Sequence, residues 1–150
     1  MNIMHRLNRL LTLLYIWAVC PVAVLAQTAT GPFRAHLYNT EYKVAMHINF
    51  YEQDITIPGQ DLFGQMAGYM IKDGYTYCWL VVDAVVKDNR ATLLMSNDYG
   101  SEDMKAELTA QGDTLYILRH VSGSALKMPN KGKWQKLPNT LELRPRKNGK

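Results

Sequence analysis

A two-residue alternation of apolar and polar side chains runs through this chain and limits its fold more than any other feature. Between residues 42 and 50, the even positions carry Tyr42, Val44, Met46, Ile48 and Phe50. Successive side chains of a β-strand point to opposite faces, so the pattern predicts a half-buried strand. Residues 33–37 alternate in the same way. We therefore predict a β-hairpin over residues 33–51 that turns at Asn39-Thr40.

Turn-forming residues divide the rest of the chain into short apolar segments about ten residues apart. No window gives a convincing amphipathic helix, and Gly64 interrupts the one or two helical turns predicted for 60–67. Consecutive strands with short connections pair antiparallel, and closing the sheet removes its exposed edges. The chain is thus predicted to be an all-β, antiparallel up-and-down meander of eight to ten strands that closes into a small barrel. The further predicted strands are 66–71, 75–87, 90–96, 104–110, 114–120, 125–128, 133–137 and 140–144.

The first 26 residues have the three-part layout of a secretory signal peptide. His5, Arg6 and Arg9 precede an apolar run over residues 10–25, and small residues lead up to Ala26. The run is shorter than the roughly 20 residues that a membrane-spanning helix needs. We predict cleavage after Ala26, a single β-barrel domain over residues 27–150, periplasmic or secreted, and no transmembrane anchor. Cys78 is then the only cysteine of the mature domain, which excludes an internal disulfide.

Charge is distributed unevenly along the predicted domain. Residues 27–118 carry six basic and twelve acidic side chains, whereas residues 119–150 carry nine basic and one acidic. The basic end either closes against the acidic earlier strands or forms a face for a polyanion or an acidic envelope protein. The candidate residues of this basic face are Lys127, Lys131, Lys133, Trp134 and Lys136.

Three short segments resemble known proteins. Gly31-Pro32-Phe33 stands where lipocalin-like small barrels carry a glycine and an aromatic residue at the start of their first strand. Segments 97–103 and 133–138 resemble those of uncharacterised exported proteins of Gram-negative bacteria. The first resemblance implies a lipocalin-like barrel with space for a ligand. The second implies export and brings no activity with it.

The segment 77–86 is apolar on both of its faces, and its orientation is left open by the sequence. One face carries Cys78, and the other carries Trp79 and Asp83. If the Cys78 face fills the barrel, Trp79 lies outside among apolar residues and indicates a homodimer interface. If the Trp79 face points inward, Asp83 becomes an acid inside the barrel and needs a basic or hydroxyl partner.

Other candidate sites receive less support from the sequence. With a turn at Asn39-Thr40, His36 and His47 are offset by four or two residues, roughly 13 or 7 Å along the strands. His120 is isolated, so we predict no metal site. The acidic segment 97–103 fits turn formation better than a calcium loop. No Gly-x-Ser-x-Gly, phosphate loop or His-Glu-x-x-His motif occurs, so neither an enzyme nor a cofactor is predicted.

Two functions are compatible with these features. The first is a binding module whose barrel holds a small apolar or amphipathic ligand inside or at its mouth. Its predicted ligand contacts are Tyr42, Phe50, Trp79, Asp83 and Tyr116. The second is a protein–protein interaction factor, such as an inhibitor, immunity or envelope-assembly protein, that uses the basic face. Nucleic acid is not an expected partner, because an exported protein rarely meets it.

Overall fold

The computed structural model describes residues 30–146, so the predicted signal peptide lies outside the described residues. Within them the chain is almost entirely β-structure, with one short 3-10 turn at Asp61–Phe63. No helix of this part is long and apolar enough to cross a membrane. The strands are β1 Arg34–Asn39, β2 Val44–Asn49, β3 Ile55–Thr56, β4 Gln65–Met66, β5 Gly68–Lys72, β6 Cys78–Lys87, β7 Arg90–Asn97, β8 Asp103–Gln111, β9 Leu115–Gly123, β10 Lys127–Asn130, β11 Lys133–Lys136 and β12 Thr140–Pro145.

Eight strands form a closed antiparallel barrel in the order β1-β12-β9-β8-β7-β6-β5-β2. Neighbours in the barrel follow one another in the chain, except where two small hairpins are inserted and where β1 closes the barrel against β12. The β3–β4 hairpin lies between β2 and β5, and the β10–β11 hairpin lies between β9 and β12. The predicted all-β meander and its closure are therefore confirmed. The two-residue strand β3 was not predicted, because it is too short to show alternation.

Side chains from all eight barrel strands meet in one apolar core. Phe33 and Phe50 stack at 5.6 Å between ring centroids, and Tyr116 meets Phe33 edge-on at 6.5 Å. Trp79 is fully buried, and its indole Nε1 donates a hydrogen bond to the carbonyl oxygen of Lys127 at 3.0 Å. These aromatic rings are packed among the aliphatic and methionine side chains of the core.

A β-bulge in β6 decides which residues of segment 77–86 face inward. The register of β6 against β7 shifts between Val81 and Asp83. Before the bulge, Trp79 and Val81 point into the core; after it, Ala84 and Val86 pack against the core instead. One extra residue in a strand reverses the faces that follow it. Each of the two predicted orientations is thus right for one half of the strand and wrong for the other.

The outward face of β6 before the bulge is covered by the chain itself. Cys78 and Leu80 point away from the barrel core and form a second apolar cluster with Tyr69 and Ile57. Ile57 belongs to the β3–β4 excursion, which packs on the outside of the barrel wall. Trp79 points into the barrel, so the prediction of a homodimer interface formed by an outward-facing Trp79 is wrong. The oligomeric state stays a prediction.

Candidate functional site

The β10–β11 hairpin crosses one end of the barrel, which we call the hairpin end. Two polar contacts fix it besides the bond from Trp79. The backbone N–H of Lys131 donates to the hydroxyl of Tyr75 at 2.8 Å, and the ammonium of Lys72 donates to Gln135 Oε1 at 3.0 Å. Met128 on the inner side of the hairpin is fully buried in the core. The hairpin is therefore packed against the end of the barrel.

The outer face of this hairpin carries an exposed aromatic surface. Trp134 is 56% exposed and meets Tyr77 edge-on at 4.8 Å between ring centroids. Tyr99 is 73% exposed and lies 5.7 Å from Tyr77. Pro129 is the cross-strand partner of Trp134, so both side chains share one face. We call the exposed Tyr99 and Trp134, the half-buried Pro129 and the buried Tyr77, whose ring contacts both exposed rings, the aromatic platform.

Lysines surround the aromatic platform. Lys127 and Lys136 are cross-strand partners on the same face as Trp134, and the Lys127 ammonium lies 6.0 Å from the Trp134 ring centroid. Lys127 also forms an ion pair with Glu102 at 2.7 Å. Lys131, Lys133 and Lys136 are exposed and make no ion pair within residues 30–146. The five residues of the predicted basic face thus lie together on one hairpin.

The acidic earlier strands neutralise part of the basic end. Arg119 pairs with Glu107 at 3.1 Å, as Lys127 does with Glu102. These two ion pairs agree with the prediction that the basic end closes against acidic strands. Lys131, Lys133 and Lys136 lie outside these ion pairs and keep a positive charge at the hairpin end. The first alternative therefore holds for Arg119 and Lys127, and the binding of a polyanion or acidic protein by the other lysines stays a prediction.

A turn at 97–102 holds Tyr99 in place. The buried side chain of Asn97 accepts a hydrogen bond from the backbone N–H of Ser101 at 2.9 Å and donates one to its hydroxyl at 3.0 Å. This is the turn chemistry expected of the segment. Burial raises the pKa of the neighbouring Asp98 above its ordinary value. Across residues 30–146, no three acidic, histidine or cysteine side chains are grouped to hold a metal ion.

The predicted ligand contacts are separated by the fold. Phe50, Trp79 and Tyr116 belong to the buried core, and the hydroxyl of Tyr116 donates to the carbonyl of Pro32 at 2.7 Å. Tyr42 is half-buried in the β1–β2 turn. Asp83 is exposed on the outer wall opposite Leu94, so the expectation of an acid inside the barrel is wrong. The bulge turns Asp83 outward, so its carboxylate is exposed to solvent. Ligand binding by these residues stays a prediction.

The histidines lie closer together than predicted. His36 and His47 are direct cross-strand partners, and their rings stack at 3.7 Å. The expected offset is wrong because the connection spans residues 40–43, where the Asn39 side chain accepts a hydrogen bond from the N–H of Tyr42 at 2.8 Å. His47 also stacks on Tyr69 at 4.8 Å. Burial, then the charges of His36 and Arg146, lowers the pKa of His47 to about 4.

The sequence missed three members of the aromatic platform, Tyr77, Tyr99 and Pro129. Tyr77 directly precedes β6 and reads as one more apolar residue of segment 77–86, because its proximity to Trp134 depends on where the hairpin packs. Tyr99 could have been noticed, since it is the aromatic residue of the polar segment 97–103. No protein-family model, curated protein or solved structure matches this chain. The function is therefore inferred from the arrangement of residues at the hairpin end.

Proposed function

We propose that this protein is an exported, non-enzymatic binding module that docks an acidic protein through the aromatic platform and the hairpin lysines. The observation that carries the proposal is the exposed Trp134 of the β10–β11 hairpin, whose ring packs edge-on against Tyr77. Tryptophan and tyrosine dominate the binding energy of protein interfaces when they lie at the centre of the contact. The lysines around them match the charged rim of such an interface.

An acidic protein explains this surface better than a simple polyanion. Lysines alone would attract a polyanion, and its binding would need no exposed aromatic group. Here Pro129 and Trp134 form a flat apolar centre, with Lys127 and Lys136 directly beside them. An apolar centre with a charged rim favours a partner that buries area and also supplies carboxylates.

The barrel interior offers less support for a ligand. The aromatic side chains predicted to contact one fill the core together with Phe33, Met46 and Met70. Polar atoms of Trp79 and Tyr116 are satisfied by backbone carbonyls. In a lipocalin-like barrel that binds inside, such groups would face open space. We therefore place the binding function on the outside of the barrel.

Site-specific photo-crosslinking tests the proposal. A benzophenone amino acid replaces Lys136 on the hairpin in one variant, and Thr92 on the exposed barrel wall in a matched control. Each variant is irradiated in an envelope extract of the source cells, and crosslinked products are identified by mass spectrometry. We expect one acidic protein to crosslink at position 136 and not at position 92.

Two further conditions sharpen this result. Adding Trp134→Ala to the position-136 variant should reduce the crosslinked product at least tenfold, and raised salt should reduce it as well. Equal crosslinking at both positions, or a product that Trp134→Ala leaves unchanged, would contradict the proposal. Crosslinks only to glycan or lipid would assign the hairpin end to a polyanion instead.

A further inference from the structure

The barrel is closed by its shortest strand pairing. Strands β1 and β12 share only two registered pairs, Leu37 with Pro145 and Tyr38 with Arg144. Beyond Tyr38 the two strands separate, and the side-chain amide of Asn39 donates to the carbonyl of Glu142 at 2.9 Å in place of a backbone group. The separation leaves an open groove of about 630 Å³ between the β1–β2 turn and β12. We call it the seam groove.

The seam groove has the size and the mixed lining of a small-molecule site. Pockets for small ligands measure about 300–1,000 Å³ and combine apolar walls with a few polar groups. Leu141 is buried in the barrel core beneath the groove, and the half-buried Tyr42 gives the groove its apolar surface together with the exposed Pro138 and Pro145. Charged side chains from β12 line the same groove.

Two arginines lie at one end of the seam groove. The guanidinium carbon of Arg146 lies 4.5 Å from the ring centroid of Tyr38, and the Tyr38 hydroxyl donates to Asp73 at 2.6 Å. Arg146 makes no ion pair within the described chain. The ion pair of Arg144 with Glu142 is long at 3.7 Å, and both groups are exposed, so it contributes little. Both guanidinium groups are available to an anion.

We propose that the seam groove binds a small amphipathic anion. The carboxylate, sulfonate or phosphate of the ligand pairs with Arg144 and Arg146, because guanidinium groups recognise planar and tetrahedral anions through paired hydrogen bonds. The apolar body lies on Tyr42 and Pro138. Glu41 at the β1–β2 turn and Glu142 beside Arg144 also line the groove, so the anionic group of the ligand has to lie against the two arginines and away from these carboxylates. This site is separate from the aromatic platform.

Fluorescence titration with two probes tests the inference. Anilinonaphthalene sulfonate is an aromatic anion, and phenylnaphthylamine is a neutral analogue of similar shape. We expect the anionic probe to bind the folded protein with one-to-one stoichiometry and at least tenfold more tightly than the neutral one. The double variant Arg144→Gln/Arg146→Gln should lose at least tenfold in affinity for the anionic probe, whereas Arg34→Gln at the other end of β1 should not.

Two more variants separate this site from other causes of binding. Thr140→Trp fills the groove without removing a charge and should abolish binding, with an unchanged circular dichroism spectrum. Trp134→Ala removes the aromatic platform and should leave probe affinity unchanged. Equal affinity for both probes, or binding that survives both groove variants, would overturn the inference. Loss of binding in Trp134→Ala would also overturn it and would assign the probe to the platform.

Discussion

At the scale of single residues, Gly68 marks a close approach between the backbones of β2 and β5. Its neighbours on either side are Ile48 in β2 and Val81 in β6. A Cβ atom at this position would lie 2.4 Å from the carbonyl oxygen of His47, which belongs to the backbone and cannot rotate away. Only glycine allows β2 and β5 to pair at this spacing.

Gly68→Ala should therefore destabilise the fold by about 2–3 kcal/mol, the usual cost of overpacking a tight site. Urea unfolding followed by circular dichroism measures the loss. Gly74→Ala is a matched control, because Gly74 has φ +81° in a turn with no atom near its Cβ position. It should cost about 1 kcal/mol, the strain of a left-handed residue. Equal losses in the two variants would contradict the close approach.

The stacked histidines predict a loss of stability in acid. The folded pKa of His47 is about 4, below the ordinary 6.5, because the ring is buried against Tyr69 and lies beside His36 and Arg146. The unfolded chain thus binds more protons than the folded chain between pH 6.5 and pH 4. Stability is full above that window and falls as the pH falls through it.

We expect a loss of about 1–2 kcal/mol across this window, reduced from the full shift because His47 is only half-buried and screened by solvent. Urea midpoints at pH 7 and pH 4 give the value. His47→Gln keeps a polar side chain of similar size and removes the titratable ring, so most of the difference between the two urea midpoints should vanish. A midpoint with the same acid dependence in His47→Gln would show that another group is responsible.

At the scale of elements, the β3–β4 excursion shields the single cysteine of the described chain. Cys78 is buried under Ile57, and burial raises the pKa of its thiol to about 12. The reactive thiolate is therefore scarce at pH 8. Iodoacetamide should label the folded protein slowly, and only when this excursion opens.

Ile57→Ala should raise the labelling rate at least tenfold, because it weakens the cover over Cys78. Leu62→Ala is the matched control on the same excursion, since Leu62 is fully exposed and contributes nothing to the cover. Mass spectrometry of timed samples gives both rates. Rapid labelling of the unmodified protein, or equal rates in the two variants, would contradict this placement of the excursion.

The same scale shows where prediction from sequence stops. Strand positions follow from alternation where a barrel strand has one face in the core and one in solvent, as β7 and β8 do. The bulge in β6 could not be predicted, because segment 77–86 is apolar at both odd and even positions. Its pattern is therefore the same with or without an extra residue in the strand. The β1–β2 connection lies a little later in the chain than predicted. Asn39-Thr40 is a good turn dipeptide, yet Asn39 is the last residue of β1, and its side chain accepts a hydrogen bond from the N–H of Tyr42 in the turn.

At the scale of the whole molecule, the barrel carries two chemically distinct surfaces. The composition of the basic end predicted a positive face, and the five predicted residues lie on one hairpin. The aromatic platform required contacts between residues far apart in sequence, such as Tyr77 with Trp134, which alternation cannot reveal. The seam groove depends on how far β1 and β12 stay paired, and pairing length is a property of the closed barrel.

The central claim is that recognition takes place at the hairpin end, outside a filled barrel. The most direct test is the Kd of the crosslinked acidic partner, measured by calorimetry for the unmodified protein, Trp134→Ala and Val85→Ala. Val85 is an exposed apolar residue of the barrel wall and serves as the control. The account predicts that Trp134→Ala weakens binding at least tenfold, or about 1.4 kcal/mol, while Val85→Ala leaves it unchanged. An unchanged Kd in Trp134→Ala would contradict it.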